Sequence, residues 1–564
     1  MRSRKLLALI FSLLAIAPAL AGYMTLLGAG VGSIQPVASW VSTTDPTFPS
    51  SSLTFSRTSL ATMFDSTGKL TYAPNNLLTY SNTFSNPAWA KISVTVTGGV
   101  SDPFGGTNAF TVKANSSGGN SFIYQYVTGI AGMNLLETVW IRRRTGTGAV
   151  NFFANNGITG TAIPVTGTWQ QLTNVVVGLA TTSVGFILAT INDEIDIYAA
   201  TASVVTYETA SRSNDQVITT SAAYYGPRID YDPNTLAVKG LLIEEARTWV
   251  ALWNRDLTNA VWVKTSITAV KNQTGIDGVA NSASSITATS ANGTILQNIT
   301  LASSQRLQSA YVKRIAGSGA VSMTTDGGAT WTTITVTGSW AQQTIPAQTL
   351  ANPSAGFKLA TSGDAIAVDF VGNELGAFVT SALQTGASSV TRAPDVVQFT
   401  GAALSALQGS AGSVIVQSIS EASSSPAAIT NVIKGTNSIL YRDTTGKTGT
   451  TNGTTALLTA AAPTWSSAIR NGLAWSVFGR SLGYTSSAIA TDANAVSNSG
   501  TLYLGSSTGS AVESGWYQSF GIWDQRLSDA TLSTKLTVGG SYAANDNINP
   551  FAPQFAANDN FPVH

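Results

Sequence analysis

The stretch Leu77–Lys91, LLTYSNTFSNPAWAK, is answered by Val250–Lys264, VALWNRDLTNAVWVK. Asn86 stands against Asn259, Trp89 against Trp262 and Lys91 against Lys264, each at an offset of 173. Further on, VWIRRRTGTGAV (Val139–Val150) matches AYVKRIAGSGAV (Ala310–Val321) at an offset of 171. The same offset pairs VTGTWQQLT from Val165 with VTGSWAQQT from Val336, and GFILAT from Gly185 with GFKLAT from Gly356. Four blocks in one order at nearly constant spacing mark a duplicated module. Within each copy, short β-branched or aromatic runs such as Ile92–Val96, Phe122–Val127 and Ile334–Val336 alternate with polar residues. Gly, Asn and Ser turns separate them, the pattern of strands rather than helices. Strands with one buried and one wet face pair antiparallel, so each copy is expected to be a two-sheet sandwich of jelly-roll type. The fold class that follows is all-β, built from tandem antiparallel β-sandwiches.

Composition agrees and excludes much else. Of 564 residues only 10% are charged, 29 basic against 28 acidic, with 52 glycines, no cysteine and one histidine, His564, at the very end. Without cysteine there is no disulfide framework, thiolate nucleophile or cysteine zinc site. A terminal histidine serves no buried Ser-His-Asp triad, and no basic surplus supplies the phosphate contacts of nucleic-acid binding. Thirteen tryptophans and 43% hydrophobic residues provide for several cores.

The N-terminus has the layout of an export signal. Arg2, Arg4 and Lys5 precede an apolar run from Leu6 to Ile16, and Ala19-Leu20-Ala21 offers small residues before Gly22. That run is shorter than the about 20 residues a membrane-spanning helix needs. Met24 is an alternative start, and Gly28–Gly32 reads as a flexible lead-in.

Two phrases lie outside the copies. Upstream is FSRTSLATMFDSTGKLTY (Phe55–Tyr72), and between them is YGPRIDYDPNTLAVKGLLIEEARTWV (Tyr225–Val250). Together with the LLTYS…W-K opening, these phrases resemble bacteriophage and prophage virion appendage proteins. Those are described as head-spike-fibre or tail-fibre proteins with carbohydrate-binding-module-like sandwiches. The resemblance covers roughly residues 50 to 400. It departs at Arg247-Thr248-Trp249-Val250-Ala251, where the family has Arg-Thr-Asn-Leu-Leu, and in the full module set between two phrases that are often adjacent. It implies an oligomeric adhesin assembled with other virion subunits.

From Thr391 a new strand series begins: Val414–Val416, Ile439–Tyr441, Leu473–Val477 and Thr501–Leu504. It ends LYLGSSTG…GWYQSFGIWDQRLSDATL (Leu502–Leu532), which resembles the closing hairpin of a laminin-G or concanavalin A-like sandwich. Ser528 is the candidate N-cap of a short helix ahead of Asp529. Glycan binding is what that second resemblance implies. After Gly540 the tail repeats AANDN at Ala543 and Ala556 among prolines, the composition of an extended segment.

A glycosidase needs two carboxyl groups about 5–10 Å apart. The acids between Gly401 and Thr537 are Glu421, Asp443, Asp492, Glu513, Asp524 and Asp529, dispersed and never at i, i+2. No catalytic activity is therefore expected, and no cofactor. Asp193, Glu194 and Asp196 could ligate calcium, but Asp196 aligns with Ala367, and an exposed acidic turn is the simpler account. The basic residues of WIRRRTG and YVKRIAG are likewise taken as a solvated strand edge. Sugar rings stack their C–H faces on aromatic side chains, so the ligand candidates are Trp169, Trp340, Trp516 and Tyr517, while Trp89 and Trp262 suit the core.

The expected organisation is a signal at 1–21, a lead-in at 22–72, module copy one at 73–209, a linker at 210–240, copy two at 241–390, a laminin-G-like sandwich at 391–540 and a tail at 541–564. The expected function is non-enzymatic adhesion to a cell-surface polysaccharide by a virion-borne or extracellular protein with no membrane span. Its rivals are a ligand-free decoration protein and a secreted polysaccharide hydrolase or lyase.

Overall fold

The repeated phrase around each tryptophan builds the same local unit twice. Asn86 and Asn259 accept the backbone N–H two residues on, at 2.9 and 3.1 Å, which fixes a turn. Trp89 and Trp262 then drop into the core at 1% exposure, and their indole N–H groups donate to Tyr80 O and Leu252 O. Lys91 and Lys264 fold back and cap the carbonyls of Asn86 with Trp89, and of Asn259 with Trp262. The computed structural model describes residues 35–118, 121–154, 162–206, 217–421, 430–463, 468–485, 487–496, 498–505 and 513–538. The export signal, the Gly28–Gly32 run and the tail beyond 540 lie outside them.

Copy one is two five-stranded antiparallel sheets facing each other. The first runs Gln170–Val177, Asn134–Thr145, Glu194–Val205, Ala109–Ala114, Val94–Val100. The second runs Ala162–Ile163, Val150–Ala154, Thr181–Leu188, Ser121–Thr128, Ala90–Ile92. Phe84, Trp89, Ile123, Ile141, Phe152 and Ile197 fill the space between. The run Ile92–Val96, expected as one strand, breaks at Ser93 (φ 50), where the chain steps from one sheet to the other.

Copy two repeats this in detail. Ser266 (φ 53) breaks the equivalent run, and Tyr80 and Ala199 (φ 47 and 49) have left-handed counterparts in Trp253 and Phe370 (φ 49 and 45). The register shifts at Thr138/Trp140 and Arg143/Thr145 recur at Ser309/Tyr311 and Arg314/Ala316. Matching irregularities at the same two offsets, 173 and then 171, show that the duplication extends to the backbone.

The C-terminal sandwich is assembled from the whole chain. Its first sheet has Gly515–Trp523 beside Gly412–Ser420 on one side; on the other it pairs end to end with Ala38–Val41 and Val238–Ile243. Its second sheet begins with Leu53–Ser56 against Val396–Phe399. Trp40, Leu241, Phe399, Val416, Trp475 and Phe520 lie together in the core between them. The lead-in and linker, expected to stand outside the sandwiches, therefore supply strands to this one, because its central strand would otherwise expose an unpaired edge. The expected closing hairpin is also corrected: Tyr503–Leu504 belongs to the second sheet and Gly515–Trp523 to the first. The helix Asp529–Val538 is capped as expected, Ser528 Oγ accepting the Thr531 N–H at 3.2 Å, and it seats Leu532 and Leu536 on Ile415 and Trp523.

The phrases that flank copy one meet in space. The hairpin Thr62–Phe64/Leu70–Tyr72 turns at Gly68 (φ 77), where an added Cβ would lie 2.6 Å from Pro233 O. Phe64 N–H donates to Asp230 at 2.6 Å. Copy one is thus set into a junction that closes behind it. Among the described residues no helix is long and apolar enough to cross a membrane.

Candidate functional site

At that junction lies a buried ionic cluster. Arg57 Nη1 is 2.8 Å from Asp395, and Arg228 bridges Asp395 and Glu244. Arg392 reaches Glu244 at 3.3 Å, and every one of these side chains is 0–1% exposed. Burial opposes the charged form of Glu244, but Arg228, Arg392 and the Ser381 donors outweigh it and hold the carboxyl well below its usual range. Burial likewise opposes the charge on Asp395, which Arg228, Arg57 and Arg392 restore. Arg57, Arg228 and Glu244 come from FSR, PRIDYDP and LLIEE, while Arg392 and Asp395 come from the TRAPD run at 391–395. The most specific phrases of the sequence are a structural weld rather than a binding site.

An open aromatic face lies elsewhere, on the first sheet of copy one. Ile141 and Ile197 point into the core at 0% exposure, so Trp140 and Tyr198, paired in register, point out. Phe104, 70% exposed, stands over them with ring centroids 5.4 Å from Trp140 and 5.9 Å from Tyr198. Its loop is preorganised by the buried Asp102 carboxylate, which accepts the N–H groups of Phe104 and Gly106 at 2.9 Å and of Asn108 at 3.2 Å. Two residues along the same strand, Arg142 lies 4.9 Å over the ring of Trp169 and 2.8 Å from Asp196.

In copy two this face is closed. Tyr311 replaces Trp140 and Asp369 replaces Tyr198, in the same register. Tyr311 is 6% exposed, with Phe64 of the lead-in hairpin set edge-on to it at 6.0 Å. Asp369 is tied to Arg255 at 2.8 Å and to the Ile276 N–H at 3.0 Å, and Leu70 N–H donates to Ile276 O. One inherited surface has become an internal interface in one copy and an open face in the other.

The four ligand candidates fall in different places. Trp169 is half-buried at the edge of the open face. Trp340, its counterpart, is half-buried beneath Lys313 and packs with Trp249 and Tyr311. Trp516 is half-buried beside the junction, donating to Asp230 at 2.7 Å. Tyr517 is corrected: at 1% exposure it belongs to the core, because alternate residues of its strand face inward. Phe104, Trp140 and Tyr198 were missed. The signal that could have found them is the divergence of the two copies at Trp140/Tyr311 and Tyr198/Asp369.

The acidic turn and the basic run also resolve each other. Arg142 and Arg144 both pair with Asp196, and Arg143 pairs with Asp193. The strand Asn134–Thr145 is interior to its sheet, so the basic run is no solvated edge but a partner for these acids. Three guanidiniums around the acidic turn oppose cation binding there. Among the described residues no group of three His, Cys, Asp or Glu side chains could hold a metal ion.

No protein-family model matches the chain, and no curated protein does. Similar solved structures include the enzymatically active domain of bacteriophage CBA120 tailspike protein 4, at 17% identity over 23% of this chain and 21% of that one, TM-score 0.18. They also include the N-terminal CBM22-1–CBM22-2 tandem domain of Paenibacillus barcinonensis Xyn10C, at 10% identity over 54% of this chain and 98% of that one, TM-score 0.20. Trypanosoma rangeli sialidase in complex with sialic acid is 8% identical over 86% of this chain and 93% of that one, TM-score 0.20. The chain spans about a fifth of the tailspike domain's length, and likenesses at these TM-scores carry no argument.

Proposed function

We propose that this protein recognises cell-surface carbohydrate, without turnover, through the open face of copy one. The observation that carries the reading is the contrast between the copies: exposed Phe104 stands over half-buried Trp140 and Tyr198 in an aromatic cluster open at the surface, where the same register in copy two is sealed. Stacking on such a platform needs the flat C–H face of a sugar, with hydroxyls left for polar side chains at the rim. A chain of net charge +1 binds such a ligand with little dependence on salt.

The absence of catalysis is part of the proposal. In the C-terminal sandwich Asp492 is engaged by Arg480, Glu513 by Arg442 and Asp529 by Arg526. These pairings support acids used for structure. The setting we propose is an oligomeric phage or prophage appendage, virion-borne or at the cell surface, in which several weak sites gain avidity by display together. Support for it comes from the phrases at Arg57 and Arg228–Glu244. The test is a glycan array probed with the full chain at high valency. Retention of one polysaccharide class, lost on Phe104→Ala with Trp140→Ala, supports the reading; no retention ends it, and release of reducing sugar would replace binding by hydrolysis.

A further inference from the structure

The strand Ile469–Ser476 returns as Gly479–Tyr484 through a tip of only two residues, Val477 and Phe478. Such a tip favours Asn-Gly or Asp-Gly. Here both residues are apolar and both stand in solvent, Val477 at 58% exposure and Phe478 at 88%. No other large hydrophobic side chain among the described residues is as exposed as Phe478. The tip is also fixed in place. Ser476 Oγ accepts the Phe478 N–H at 3.2 Å, and the buried Trp475 donates its indole N–H to Gly409 O at 3.0 Å.

Gly409 also borders a groove of about 260 Å3 at the same end of the C-terminal sandwich. Val37, Ala402, Ala406 and Ala411 line it, with exposed Ser405 at the rim and Asp524 as its one charged residue. These small side chains leave it hollow. An apolar cavity of ~150 Å3 already holds benzene, so a phenyl ring fits. The strand order Gly515–Trp523, Gly412–Ser420, Ile469–Ser476 sets groove and tip side by side, with Ser413 opposite Trp523 and Gly412 opposite Trp475. Phe478 does not enter the groove beside it, or its ring would be covered.

We infer that this end is a contact between two copies of the chain, in which Phe478 of each enters the groove of the other. The chain itself supplies both a ring and a hollow that admits it. Because they lie on one end, a copy turned by a two-fold axis offers groove to tip and tip to groove, and the contact closes at two. A lipid surface fits less well. A bilayer does not fill a concave groove, and anionic leaflets draw proteins through Lys and Arg, of which neither tip nor groove has any. The contact uses neither the open face of copy one nor any carbohydrate, and stands or falls without them.

The test is sedimentation equilibrium of the full chain. So small a contact is expected to hold a weak dimer, with a dissociation constant on the order of 10–100 μM. Phe478→Ser at the tip, or Ser405→Trp filling the groove, each weaken it about a hundredfold, whereas Phe104→Ala leaves it unchanged. The chain has no cysteine, so Phe478→Cys mixed with Ser405→Cys under mild oxidation reports the pairing. A disulfide-linked dimer is expected from the mixture and from neither protein alone. A chain still monomeric at about ten times the stated concentration overturns the inference. So does a dimer that survives both variants, or a mixture that forms no cross-link. Binding to phosphatidylcholine vesicles that is lost on Phe478→Ser assigns the tip to lipid and overturns it as well. Polysaccharide affinity per site in the Phe478→Ser variant is expected to stay intact, which separates failure here from failure of the platform.

Discussion

Trp140 and Tyr311 occupy one register position in the two copies, opposite Gln171 and Gln342, and only Tyr311 lies beneath the lead-in hairpin. The pair predicts opposite phenotypes. Trp140→Ala is expected to weaken polysaccharide retention about tenfold with little change in stability. Tyr311→Ala should leave retention unchanged and cost about 3 kcal/mol of stability, as large aromatic truncations in cores do. Affinity electrophoresis alongside urea denaturation measures both.

Arg228 is the hinge of the ionic cluster, touching Glu244 and Asp395. Arg228→Met leaves two buried carboxylates short of a partner, for an expected loss of about 3–5 kcal/mol. Because Asp395 and Glu244 are held below their usual range, the stability they contribute is present at neutral pH and is lost as acid protonates them. Denaturation midpoints measured from pH 7 downward should fall for the native protein and fall less for the variant.

Glu137 behaves the other way. Burial pushes its carboxyl up to about 8, against the single Asn174 donor. The folded state thus holds a proton that the unfolded chain releases, and stability is lost as pH rises from about 4.5 to about 8, by about 1.4 kcal/mol per pH unit at most. Copy two has Gln308 at this position. Glu137→Gln is therefore expected to flatten the alkaline side of the stability profile without disturbing the fold. An unchanged slope would show that the carboxyl titrates in solvent.

The fragment 391–540, a natural unit by sequence, lacks Ala38–Val41, Leu53–Ser56 and Val238–Ile243. It is expected to aggregate or remain unfolded by circular dichroism. The chain from residue 35 to 538 should fold, and removing residues 35–56 from it should return it to the aggregating state.

Much of this was legible in the residues. The duplication, the all-β class, the buried Trp89 and Trp262 and the Ser528 cap follow from local spacing, because strand alternation and capping are local phenomena. What escaped reading depends on long-range pairing. Nothing near Ala38 announces Ile522 as its partner, and a short strand is completed only by its neighbours. The phrases around Arg57 and Arg228 stood out in the sequence, yet charge in a phrase does not say whether its counter-ion is a ligand or a distant Asp395. The platform was hidden because exposure of Trp140 is decided by whether a hairpin from elsewhere lies on it.

The pairing of Val41 with Ser519 spans nearly 480 residues of chain. At ~5–20 residues per second, a ribosome needs roughly 24–96 s to deliver the second strand after the first. Copies one and two can close on themselves in that interval, while the first strand waits with an open edge. The last of the three sandwiches to be made is therefore the one that clasps a strand made far earlier, and a chain interrupted before Ser519 carries Ala38–Val41 with its edge unpaired.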